Sequence, residues 1–108
     1  MKHEIINKQG ATIIELKGEV DLENSPAARE LLLKSIKDAS RVLVDLSSVT
    51  YIDSSGVASL VEALQAAKKH NTVFALAAAS EPTRRVLELA RLDKVFTIYE
   101  TVDAGLTD

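Results

Sequence analysis

Four consecutive residues, Asp53-Ser54-Ser55-Gly56, bring a carboxylate, two hydroxyls and a bare stretch of backbone together in this 108-residue chain. They follow the apolar run Val49-Thr50-Tyr51-Ile52 and precede a helical pattern that begins at Ser55, so they occupy a strand-to-helix junction. The first N–H groups of a helix lack intrahelical partners, and the aligned peptide dipoles add about half a positive charge at that end. A hydroxyl or a phosphate at Ser54 would sit beside those donors. Gly56 has no side chain, which is expected to leave the helix start open to close approach by another molecule. Ser54 also falls at the carboxyl end of the preceding strand, where ligands of open α/β sheets commonly bind. The ordinary structural use of a serine here is as an N-cap contributing about 1 kcal/mol, and one serine suffices for that.

Rival chemistry is thin. Glu19 and Asp21 could act as an acid and base pair, but acids in turns are ordinarily solvated. His3 lies near the N-terminus and His70 at a helix end, so neither partners a serine nucleophile. There is no Gly-x-Ser-x-Gly elbow, no Gly-rich phosphate loop and no cluster of metal ligands. The expectation is therefore a protein that is not an enzyme and that needs no cofactor and no metal.

Composition narrows the class further. A chain of this length makes one domain, residues 1–108, and buries about 65% of its unfolded surface. Hydrophobic residues at 46% and charged residues at 27% are ordinary globular values, while 4% aromatic content leaves the core to Val, Leu, Ile and Ala. The net charge is −3, with Lys and Arg scattered among acids, which argues against nucleic-acid binding. The absence of cysteine removes disulfides, thiolate zinc sites and cysteine nucleophiles together. The N-terminus lacks the apolar core of a signal peptide, and no window approaches about 18 consecutive apolar residues. A cytoplasmic protein without membrane insertion is the expectation.

The elements that must position the junction follow from periodicity. Residues 3–7 and 11–17 read as a hairpin around Lys8-Gln9-Gly10, the second strand lying near a sheet edge. Gly18-Glu19-Val20-Asp21 reads as a turn that ends the strand. Ser25 is placed to cap a helix with Pro26 in its first position, and Ala28, Leu31, Leu32 and Ile36 face inward. Arg41–Leu46 is a strand buried on both faces. The helix after the junction spans about residues 55–69, buries Val57, Leu60, Val61, Leu64 and Ala67 or Lys68, and stops at Lys68-Lys69-His70-Asn71. Thr72–Ala77 is a buried strand, and Ser80-Glu81-Pro82 caps a helix to about Arg91 with Val86, Leu87, Leu89 and Ala90 packed inward. Val95–Tyr99 is the last strand, and Thr101–Ala104 begins a closing helix. The fold class is α/β: a mixed sheet of four to five strands, order ββαβαβαβ with an optional final helix, packed against helices. The order of strands within the sheet is left open.

With these residues in view, the chain resembles the STAS domain, most closely the bacterial anti-sigma factor antagonists. The resemblance rests on Gly18-Glu19-Val20-Asp21, on the run from Val44 to Gly56, and on the Pro82–Leu92 helix followed by Val95-Phe96. It implies that Ser54, the serine directly after Asp53, is phosphorylated by a partner that is both anti-sigma factor and serine kinase. It implies too that unphosphorylated protein binds this partner and releases a sigma factor, and that a metal-dependent serine phosphatase resets the switch. By the same resemblance Asp53 orients or flanks the acceptor, Asp21 lies near it on the neighbouring loop, and Ser55 and Gly56 belong to the same surface. The alternative within the family is a subunit of a lipid-transport ABC complex, which would bind an ATPase without phosphorylation.

Overall fold

The protein is described by a computed structural model that covers residues 1–108. Strands β1 (Lys2–Lys8) and β2 (Ala11–Val20) form the hairpin expected from the Ile-rich runs. Its loop is two residues, with Lys8 paired to Ala11, and Gln9 and Gly10 both adopt left-handed angles of φ 52° and 76°. Positive φ at both central positions is the turn geometry whose twist matches that of paired strands. Helix α1 (Ser25–Asp38), β3 (Arg41–Ile52), α2 (Ser54–His70), β4 (Val73–Ala77), α3 (Glu81–Leu89), β5 (Ile98–Tyr99) and α4 (Val102–Thr107) complete the order ββαβαβαβα. The five strands lie in the sheet in chain order, with β1 and β2 antiparallel and β2 through β5 parallel.

Alternation along the buried strands divides the core between the two faces of the sheet. Val42, Val44 and Leu46 of β3 and Phe74 and Leu76 of β4 meet Leu32, Ile36, Leu60, Ala63 and Leu87 from the three long helices. Leu43, Ala75 and Ala77, on the opposite face, pack with Ile13, Ala11 and Leu106 of α4. β3 is buried on both faces in its first half and continues to Ile52 paired with β2 alone, and α2 starts from that end.

Several expected boundaries move, each for an identifiable reason. Gly18-Glu19-Val20 is not a turn. β2 runs on to Val20, with Gly18 at φ 89° in a bulge where its register against β3 shifts. Glycine takes this angle without a Cβ clash, so the strand bends and keeps pairing as far as Ile52. Ser25 does not cap α1; its hydroxyl donates to the Leu22 carbonyl at 3.4 Å, and Asn24 occupies the cap position. In α2 the buried stripe is Val57, Leu60, Ala63 and Ala67, with Val61 and Leu64 half-buried and Lys68 exposed. α3 ends at Leu89, so only Thr83 and Leu87 face fully inward, while Leu89 is 79% exposed and Ala90 lies outside. The last strand shrinks to Ile98–Tyr99: Val95 and Phe96 form a turn, with Phe96 buried and Val95 exposed.

Candidate functional site

The site forms where the carboxyl ends of β2 and β3 meet the start of α2. The two strands stay paired to Val20 and Ile52 through the bulge, and the Asp53 N–H donates to the Val20 carbonyl at 3.4 Å. Asp53 then turns out of the strand in extended conformation and serves as the N-cap of α2. Its Oδ1 accepts from the Ser55 N–H at 3.0 Å, the Gly56 N–H at 3.1 Å and the Ser55 hydroxyl at 2.5 Å. Its Oδ2 accepts from the Leu22 N–H at 3.1 Å, which ties the loop after β2 to the helix start. A carboxylate among these donors is stabilised in its charged form. The Asp53 carboxyl is accordingly held below its ordinary value of 3.8, chiefly by the Ser55 hydroxyl and then by the Gly56 N–H.

The two adjacent serines therefore stand in different situations. Ser55 is half-buried and committed, its hydroxyl to Asp53 and its carbonyl to the Ser59 hydroxyl at 3.1 Å. Ser54 is the first residue of α2, is exposed, and lies outside the Asp53 network. Neither serine is the cap: a carboxylate fills that place, so the capping role expected for a serine falls to Asp53.

Gly56 overturns the expectation of an open helix start. It is buried, and a Cβ there would lie 2.3 Å from the Val20 carbonyl oxygen and 2.7 Å from Ile52 Cγ1. The glycine admits the chain's own β2 against α2 rather than an outside molecule. Asp21 is near the site through its backbone, between Val20 and Leu22, but its carboxylate is turned to another task. Its Oδ1 accepts from the Asn24 N–H and from Asn24 Nδ2, both at 3.0 Å, which closes the turn into α1. The sequence did not single out Leu22, although its amide completes the Asp53 cap and its side chain is 75% exposed. No apolar periodicity could have shown a leucine held outward by its own backbone.

Two shallow grooves flank the junction. One, of about 290 Å³, runs between α1 and α2 and is lined by Ser25, Pro26, Arg29, Ser55, Ser59 and Glu62, with Arg29 and Glu62 paired across it. The other, of about 390 Å³, lies between the end of β3 and α3 and is lined by Tyr51, Ile52, Glu81, Pro82, Arg85 and Val86. Tyr51 is 51% exposed there. The histidines stay apart from all of this: His70 ends α2 about 24 Å from Ser54 along the helix axis, and His3 lies on β1. No group of three or more His, Cys, Asp or Glu side chains could hold a metal ion, and no helix is long and apolar enough to cross a membrane.

This combination of a sequential five-stranded mixed sheet and an Asp-Ser-Ser-Gly helix start agrees with comparison to known proteins. A sequence model of the STAS domain matches residues 2–105. The chain belongs to the STAS domain family. Among curated STAS relatives, it is 29% identical over 104 residues to the anti-sigma-F factor antagonist RsfB of Mycobacterium tuberculosis, covering 95% of this chain and 84% of that protein. It is 25% identical over 93 residues to the anti-sigma-B factor antagonist of Bacillus subtilis, covering 86% and 85%. Among solved structures, an anti-sigma factor antagonist from Mycobacterium paratuberculosis superposes with a TM-score of 0.89 at 29% identity, covering 98% of this chain and 91% of that one.

Proposed function

We propose that this STAS domain is an anti-sigma factor antagonist whose binding face is switched by phosphorylation of Ser54. Curated relatives that cover most of the chain carry the antagonist name, and this supports the role. The observation that carries the switch is the division of labour at the helix start. The Asp53 carboxylate satisfies the Ser55 and Gly56 N–H groups and holds the Ser55 hydroxyl, and Ser54 is exposed with its hydroxyl outside that network. A free hydroxyl can be modified without dismantling the cap.

A phosphate at Ser54 adds about −1.5 to −2 charges and three acceptor oxygens. The Ser55 and Gly56 N–H groups that could receive it already donate to Asp53, and the Asp53 carboxylate beside it repels it. The new charge is left facing outward, where it opposes burial of the neighbouring Leu22 and Tyr51 side chains under a partner. Loss of docking follows without any change of fold. The partner in this reading is an anti-sigma factor that is also a serine kinase. That partner must supply the base for the Ser54 proton, because no histidine stands near and the Asp53 carboxylate is engaged. A metal-dependent serine phosphatase restores the hydroxyl.

The test uses an anti-sigma factor that binds the wild-type protein in a titration. Ser54→Ala is expected to bind with unchanged affinity, and Ser54→Asp to bind at least about tenfold more weakly, since like charge or desolvated charge at an interface costs several kcal/mol. Equal binding by both variants would remove charge at Ser54 as the control.

A further inference from the structure

β1 is the open edge of the sheet, and nothing in the fold covers it. All seven of its residues are exposed, including Ile5 at 47% and Ile6 at 46%. α1 packs on β2 and β3, and α4 on β3, β4 and β5, so both faces beside β1 are left bare. The two-residue hairpin fixes which backbone groups point outward. Lys8 and Ala11 bracket the turn and bond to each other across it. Alternation along an antiparallel pair then aims Glu4, Ile6 and Lys8 backbone groups at β2 and those of Ile5 and Asn7 into solvent.

We infer that β1 pairs with β1 of a second copy of this chain, antiparallel and centred on Ile6, so that two sheets join into one. Among registers that pair five or more residues of β1, charge selects one. A two-fold axis normal to the sheet keeps each face on its own side, so only residues of equal parity can oppose one another. Centring on Glu4 sets Glu4 against Glu4, and centring on Ile5 sets Lys2 against Lys8 at both ends. Centring on Ile6 instead sets Glu4 against Lys8 twice, Ile6 against Ile6, and Ile5 against Asn7. Opposite charges directly across a strand pair are favourable and like charges are not. The same register lets the outward N–H and C=O groups of Ile5 and Asn7 bond reciprocally. It also extends an apolar row across the junction, because Ile6 is already the cross-strand neighbour of Ile13.

The dimer has a consequence for the switch without depending on it. β2 separates β1 from β3, so pairing at β1 leaves Ser54 of both copies uncovered. One particle then carries two binding faces, and a partner with two sites gains avidity from the linkage.

Sedimentation of the full chain over a range of concentrations, together with two single-cysteine variants, tests the inference. The expected species is twice the 11.7 kDa protomer mass. Ile6→Lys, which places two like charges face to face at an exposed position, is expected to raise the dissociation constant by about tenfold. Lys8→Glu is expected to weaken the dimer, and Glu4→Lys combined with Lys8→Glu to restore it. Because the chain has no cysteine of its own, Ile6→Cys should form an interchain disulfide on mild oxidation, and Ile5→Cys should not. A protein that stays monomeric to millimolar concentration overturns the inference, as does a dimer indifferent to Ile6→Lys. Crosslinking through Ile5→Cys but not Ile6→Cys overturns the register. Circular dichroism of each variant confirms that the fold is intact, as expected for changes at exposed side chains.

Discussion

Gly56→Ala isolates the contact that positions the start of α2 against β2. The added Cβ would lie 2.3 Å from the Val20 carbonyl oxygen, 2.7 Å from Ile52 Cγ1 and 3.0 Å from Val20 Cγ1. The nearest of these atoms is backbone, in a strand end where Val20 pairs with Ile52 of β3 and its carbonyl accepts from the Asp53 N–H, so it cannot yield by a rotamer change. Overpacking of this kind costs about 3 kcal/mol at the upper end of its usual range. Replacing glycine by alanine in a helix returns at most about 1 kcal/mol. The net expectation is a destabilisation of about 2 kcal/mol, a fall in Tm of about 8 °C for a domain of this size. Thermal and urea unfolding of Gly56→Ala beside Ser54→Ala measures it. Ser54→Ala should stay within about 0.5 kcal/mol of wild type, because the serine is exposed and is not the cap. If Gly56→Ala were as stable as wild type, the close approach of α2 to β2 would be wrong. If Ser54→Ala cost as much as a lost cap, the assignment of capping to Asp53 would fail.

Two further outcomes follow from the same geometry. Leu87→Ala removes a side chain with no exposed surface and should cost about 2–5 kcal/mol, whereas Leu89→Ala two residues on should change stability by less than about 0.5 kcal/mol; denaturant midpoints of the pair decide whether α3 presents the face described. Because the Asp53 carboxyl titrates below its unfolded value in the native protein, its contribution is fully present above the ordinary carboxylate range and is lost as pH falls through the lowered folded value. Hydrogen exchange of the Leu22, Ser55 and Gly56 amides, corrected for the intrinsic pH dependence, should show protection weakening on acidification below the usual carboxylate range, and Asp53→Asn should abolish that pH dependence.

Much of the framework was legible in local signals. The Ile-rich runs around Gln9-Gly10 specify the hairpin, the Val and Leu run from Arg41 specifies a doubly buried strand, and Asn71, left-handed at φ 56°, ends α2 where basic residues announced a stop. What local pattern misread were contacts between distant segments. A serine before a helix looks like a cap, and only the pairing of Val20 with Ile52 reveals that Asp53 takes that role and recruits the Leu22 amide. Gly56 looks like an opening, and only the approach of β2 shows that it is filled. Gly18 looks like a turn because glycine marks both turns and bulges, and the register of β2 against β3 distinguishes them. Leu89 fits the helical wheel of α3, but the helix stops there, and a wheel carries no information about its own length.

The most direct test of the central claim is site mapping of phosphate after incubation with an anti-sigma kinase and ATP, by intact mass and then by peptide sequencing. The expected result is a single added phosphate on Ser54, with the adjacent Ser55 unmodified because its hydroxyl is held by Asp53. No phosphate, or phosphate on Ser55 or elsewhere in place of Ser54, would contradict it.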